Sequence, residues 1–208
     1  MLVSYRWLAE LVDLEGQTPE EVAALLTDLG LEAAIADDRR GWYDKVVCGR
    51  VLTCEKHPNA DKLSLTTVNV GGPAPIPIVC GAANVRAGID VPVALVGAVL
   101  PGDFKIEKRK VRGEVSEGMI CSEAELALTE TADGILILDD APAPGTPFGV
   151  AYEVCDTVIE VDLTPNRGDC ASMIGVAREV AAKRAVPLLL PDAPIEEEAV
   201  ETHHLVTI

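Results

Sequence analysis

The sequence predicts an α+β chain in which a small β-barrel interrupts a small helical domain. Three observations predict it. The first forty residues and residues 171–185 carry apolar side chains at helical spacing. Residues 45–138 are instead short β-rich runs separated by Gly, Pro and Asn. Two short helices at the start cannot bury a core of their own, so the later helix is their expected partner.

Ser4 is placed to cap a first helix, with Trp7, Leu8, Leu11 and Val12 on one face. A second helix follows in TPEEVAALLTDLG. Thr18 is its N-cap, Pro19 suits its first turn, and Glu21 completes a capping box. Val22, Leu25, Leu26 and Leu29 recur along it, and Gly30 ends it. Strands are expected in KVVCGRVL (45–52), LSLTTVNV (63–70), PIPIVC (75–80), DVPVALV (90–96) and GILIL (134–138). Turns are expected at VGGPAP, AANVRAG and LPGD. About five short strands fit a barrel of the oligonucleotide/oligosaccharide-binding (OB) type. APAPGTPFG (141–149) marks a Pro/Gly boundary, TVIEVDLTPNRGDC gives one more strand and a tight loop, and Ala171–Ala185 reads as a helix. Met173, Val176, Ala177 and Val180 form its stripe, and Gly175 implies close packing. The domains therefore read as helical domain 1–39 and 151–190, split by the barrel at 40–150. Residues 191–208 follow as an acidic linker and a truncated start of a next domain, where THHLVTI begins a strand.

Charge restricts function. The 208 residues hold 17 Lys/Arg against 34 Asp/Glu, a net charge of −17. Residues 41–121 hold ten basic against eight acidic residues, net +2; the rest hold seven against 26, net −19. Any nucleic-acid binding must therefore be confined to that island, whose basic edge is the run KIEKRKVRG (105–113). The competing reading is a solvated edge strand whose lysines discourage pairing. Phe104 is the single aromatic between residues 45 and 121, so successive bases cannot stack along the barrel. A nucleic acid would be read through backbone shape, as in folded RNA.

Other chemistry is not signalled. No apolar run approaches the ~20 residues that span a bilayer. The start carries Arg6 and Glu10 within its apolar stretch, unlike a signal peptide. The six cysteines form no CxxC pair and read as reduced, mostly buried thiols. Cys54 and His57 lack a second ligand pair, so no metal site is expected, and His57 reads as a loop residue. His203 and His204 read as exposed. No Gly-rich phosphate loop, GxSxG or HExxH is present, and no catalytic residue is expected. Asp139–Asp140 and Glu196–Glu198 read as solvated charge runs. Arg167 and Asp169 of PNRGD are expected to pair or to cap the following helix.

The motifs HPNADKLSLTTVNVG (57–71), IVCGAANVRAG (78–88), the segment 91–128 and DGILIL (133–138) resemble the tRNA-binding barrel family. The flanks SYRWLAELVDL, the TPEE helix and VDLTPNRGDCASMIGVAREVAA resemble the start of the bacterial phenylalanine–tRNA ligase beta subunit. The resemblance implies an OB-fold inserted in a split helical domain. It implies a cytoplasmic heterotetramer of two alpha and two beta subunits that attaches phenylalanine to its tRNA with ATP and Mg2+. This piece would be non-catalytic, hold no cofactor of its own, and offer an auxiliary tRNA-binding barrel. The alternatives are a free-standing tRNA-binding protein, or a barrel that serves subunit packing alone. The matching RNA-binding candidates are Lys56, Asn59 and Lys62, then Asn84 and Arg86, then Lys105, Lys108, Arg109, Lys110 and Arg112. Ser116 and Ser122 in SEGMICS also match, with Met119 read as core.

Overall fold

The computed structural model describes residues 1–192 and 194. Their contacts divide the chain into two units, Met1–Ala36 with the segment from Val158 onward, and Asp37–Thr157. The first elements are β1 (Leu2–Ser4), α1 (Tyr5–Leu11), α2 (Pro19–Asp28) and β2 (Ala33–Asp38). Then come β3 (Val46–Lys56), β4 (Ser64–Asn69), β5 (Ile76–Cys80) and β6 (Asp90–Leu95). Four short strand pieces follow β7 (Val99–Leu100), namely β8 (Phe104–Lys105), β9 (Arg109–Val111), β10 (Glu114–Ser116) and β11 (Gly118–Ile120). The chain then runs through α3 (Phe148–Ala151), β12 (Thr157–Val161), a 3-10 turn (Gly168–Cys170) and α4 (Met173–Arg184). The expected strand at 202–208, Glu196–Glu198, His203 and His204 lie outside the described residues.

Capping chemistry sets the first unit. The Ser4 hydroxyl accepts from the Trp7 N–H at 3.0 Å. The Thr18 hydroxyl accepts from the Glu21 N–H at 3.2 Å while the Glu21 carboxylate accepts from the Thr18 N–H at 2.8 Å, a reciprocal capping box. Gly30, at φ +82°, closes α2 as the Leu31 N–H returns to the Leu26 carbonyl. Leu8, Val22, Leu26, Ile159, Val176 and Val180 meet in one core over the sheet β1-β12-β2. Trp7 departs from expectation: it is 54% exposed. Leu8 and Leu11 take the buried stripe, and Trp7, one residue before Leu8, is turned roughly 100° away from it. α4 starts two residues later than expected because Ser172, not Arg167 or Asp169, caps it, its hydroxyl accepting from the Gly175 N–H at 3.0 Å.

The second unit holds the barrel, an antiparallel sheet in the order β11-β6-β3-β4-β5. Its two edges nearly close, the Glu117 N–H bonding to the Pro77 carbonyl at 2.8 Å. Alternation turns Val51, Val68, Ile78, Val91, Val93 and Ile120 into the barrel. A second cluster, with Tyr43, Cys48, Leu100, Leu126 and Phe148, packs at its other end, the Tyr43 ring edge-on to Phe148 at 5.5 Å. The expected strand GILIL is corrected. Only Leu138 forms a bridge, to Asp90. The reason is local: both backbone groups of Ile135 are taken by the Asn84 side chain, at 3.0 and 2.8 Å, which leaves them none for a ladder. The fifth barrel strand comes instead from GMI, β11. All six cysteines are free thiols, four of them buried.

Asp38 offers a pH test of this unit. The hydrogen bond from Arg40 holds its carboxyl at about 2, with Thr157 as a further donor. A carboxyl lowered on folding contributes stability above its unfolded value near 3.8, and that contribution is lost as pH falls through about 2. A carbon-detected NMR titration is expected to show Asp38 still ionised at pH 3, and Arg40→Ala to return it toward the ordinary carboxylate range.

Candidate nucleic-acid interface

The basic run folds into a hairpin. β9 and β10 pair in the register Arg109↔Ser116, Lys110↔Val115, Val111↔Glu114. The loop between them is two residues, Arg112 and Gly113, both with positive φ (53° and 104°). Such a loop matches the twist of its strands, and glycine supplies the second position without steric cost. The turn holds Arg112 at the hairpin tip. Lys108, Arg109, Lys110 and Arg112 are all exposed.

Two neutral residues hold the hairpin in place. Ser116 is buried; its hydroxyl donates to the Gly118 carbonyl at 3.0 Å and accepts from the Val79 N–H at 3.1 Å, which ties β10 to β5. His57 is also buried, 4% exposed. Its Nδ1 accepts from the Asn59 N–H at 3.0 Å, so Nε2 carries the proton and faces the Val111 carbonyl at 3.4 Å. The imidazole thereby clasps the first loop (57–63) to the hairpin. That loop is itself closed by the His57 N–H to Leu63 carbonyl bond at 2.9 Å. Asn59 and Lys62 project from it and Lys56 ends β3 just before it, all three exposed. The sequence gives no local hint of this clasp, because Val111 lies 54 residues from His57.

The cations are not equivalent. The Lys108 ammonium is held by Glu117 at 2.5 Å, and Lys105 lies 4.0 Å from Glu107. Outside the expected set, Arg50 is forked onto Asp90 at 2.9 and 2.6 Å. Among the described residues, Lys56, Lys62, Arg86, Arg109, Lys110 and Arg112 take part in no ion pair. A phosphate can approach these six without displacing a carboxylate.

The second loop is placed differently. Asn84 spends its side chain on Ile135, and the two line a groove of about 630 Å³ with Glu123 and Asp133. Those carboxylates repel phosphate. Arg86, two residues on, is exposed. The hydroxyl and N–H of Ser122 are bonded to Glu125 at 2.8 and 2.7 Å, which caps the following turn. Asn84, Ser116 and Ser122 thus have structural tasks, and Met119 packs against the second core cluster as expected.

One further cluster bears on cofactors. Asp169, Cys170 and Glu179 bring three potential metal ligands together. The Arg167 guanidinium lies 3.1 Å from both carboxylates, which raises its pKa and lowers that of Asp169. The cluster's cation is its own arginine, so it does not fit Mg2+. Arg167 and Asp169 pair, as one of the two expected arrangements.

Residues 46–147 match the family described as "Putative tRNA binding domain". Over 204 residues the chain is 52% identical to a phenylalanine–tRNA ligase beta subunit from Desulfotalea psychrophila, covering 96% of this chain and 24% of that protein. It is 53% identical over 188 residues to the beta subunit of Halalkalibacterium halodurans, covering 88% and 23%. It is 51% identical over 194 residues to that of Synechocystis sp., covering 92% and 24%. The chain spans about a quarter of the length of these relatives. With a tRNA-binding barrel of OB type and this identity on both of its flanks, the chain belongs to the phenylalanine–tRNA ligase beta-subunit family.

Proposed function

We propose that this chain is the part of a phenylalanine–tRNA ligase beta subunit that lends an auxiliary tRNA-binding barrel to ATP-dependent attachment of phenylalanine. The observation that carries this reading is the set of unpaired cations on the β9–β10 hairpin and the first loop, held together by His57. Arg109, Lys110 and Arg112 contact phosphates from the hairpin, and Lys56 and Lys62 from the loop. Asn59 adds a neutral contact, Arg86 extends the surface, and Lys105 and Lys108 act at its margin. The piece is non-catalytic. ATP and Mg2+ act elsewhere in a cytoplasmic assembly of two alpha and two beta subunits. No helix among the described residues is long and apolar enough to cross a membrane.

Salt titration tests it. In fluorescence anisotropy, phenylalanine-specific tRNA should bind weakly. Log affinity should fall linearly with log salt at a slope near −0.7 to −0.9 per phosphate contact, so about −4 for five contacts. A fully paired RNA of equal length should show a comparable salt slope, since the backbone is what the cations read. Absence of binding at low salt would leave the barrel a packing role only.

A further inference from the structure

Beside the hairpin lies a narrow groove of about 140 Å³. Phe104, the single aromatic between residues 45 and 121, lines it and is 44% exposed. Arg109 lines it as well, with no carboxylate partner. Val79, Ile106 and Met119 supply apolar surface, and Glu107 adds a carboxylate. An exposed phenyl ring leaves apolar area in water, and here nothing in the fold covers it. The lining selects the kind of occupant. A carboxylate within the groove repels phosphate, yet it accepts hydrogen bonds from ring or exocyclic N–H groups. An aromatic face and a guanidinium plane both stack on a flat heteroaromatic. Lys110 and Arg112 lie further along the same hairpin.

We propose that this groove receives one unpaired nucleobase of a folded RNA. The site rests on the RNA-binding reading above and adds to it a preference for RNA that presents an extruded nucleotide. A single stacking position suits a barrel that cannot stack a run of bases. It gives the backbone-reading surface a fixed register on its ligand.

Two RNA hairpins of equal length, one fully paired and one carrying a single bulged nucleotide, test this by anisotropy with the purified chain. The bulged RNA should bind about tenfold more tightly, the typical worth of one stacked base. Phe104→Ala should abolish the preference and leave the salt slope unchanged, and Phe104→Tyr should retain the preference. Phe104 is a surface residue, so its loss opens no core. Equal affinity for the two hairpins, or an undiminished preference in Phe104→Ala, overturns the base site while leaving the phosphate surface standing. An apolar protein side chain as the true occupant would give that same equality. Binding of neither RNA at low salt overturns the RNA-binding reading and the base site with it.

Discussion

Arg109→Gln, Lys110→Gln and Arg112→Gln together are expected to weaken tRNA binding on the order of a hundredfold at low salt. The slope of log affinity against log salt should become shallower by about two to three. The reasoning is that each phosphate contact releases counterions, and these three cations are free to make one each. They sit at positions 109, 110 and 112 of one hairpin, in β9 and at its tip. Nothing in the fold depends on their charge, since all three are exposed and none is in an ion pair. Circular dichroism should therefore be unchanged. An unchanged affinity and slope in the triple variant would place the contact elsewhere on the chain.

Lys108 supplies the internal control. From sequence, Lys108 falls in one candidate group with Lys105, Arg109, Lys110 and Arg112. The structure separates them, because Glu117 holds the Lys108 ammonium at 2.5 Å. A phosphate would have to compete with that carboxylate. Substituting Lys108 alone should therefore cost less affinity than substituting Lys110 alone. The pair is solvent-exposed and contributes little to stability by itself, so its effect on binding is separable from any effect on folding.

How far the sequence reveals this molecule follows from the range of each interaction. Caps are local: Thr18 and Glu21 are three residues apart, and their box is readable directly. Strands β3 to β6 are legible because their alternation and their turns are local as well. GILIL has the same local signature and still fails, since Asn84, 51 residues away, takes the backbone groups of Ile135. The basic run announces its charge but not its pairing, which depends on where Glu117 falls across the hairpin. His57 reads as a loop residue; its burial and its grip on Val111 exist only once the barrel has folded. Phe104 was legible as a lone aromatic, though not as the edge of a groove containing Arg109. Long-range side-chain-to-backbone contacts are the common cause of what was missed.

Gly175→Ala is expected to destabilise the first unit by about 2 kcal/mol, against its intrinsic tendency. In an open helix, alanine is favoured over glycine by about 1 kcal/mol. Here a Cβ would fall against the Asp169 carbonyl oxygen and 2.9 Å from the Cys170 Cα. Both are backbone atoms of the 3-10 turn, so no side chain can rotate away. Moving that turn would disturb Arg167 between Asp169 and Glu179, and would shift Cys170 out of a fully buried position. Overpacking of this kind costs about 1–3 kcal/mol and occasionally more, and rigid backbone neighbours favour the upper part of that range. The helix gain offsets only part of it. Gly168→Ala is the matched control: nothing lies within 4 Å of the Cβ it would add, and its effect should stay within about 0.5 kcal/mol. Urea unfolding in a Trp42→Phe background, where Trp7 alone reports on the first unit, measures both. A Gly175→Ala chain as stable as the parent would mean that α4 and the turn can part freely, and that the glycine is not there for their close approach.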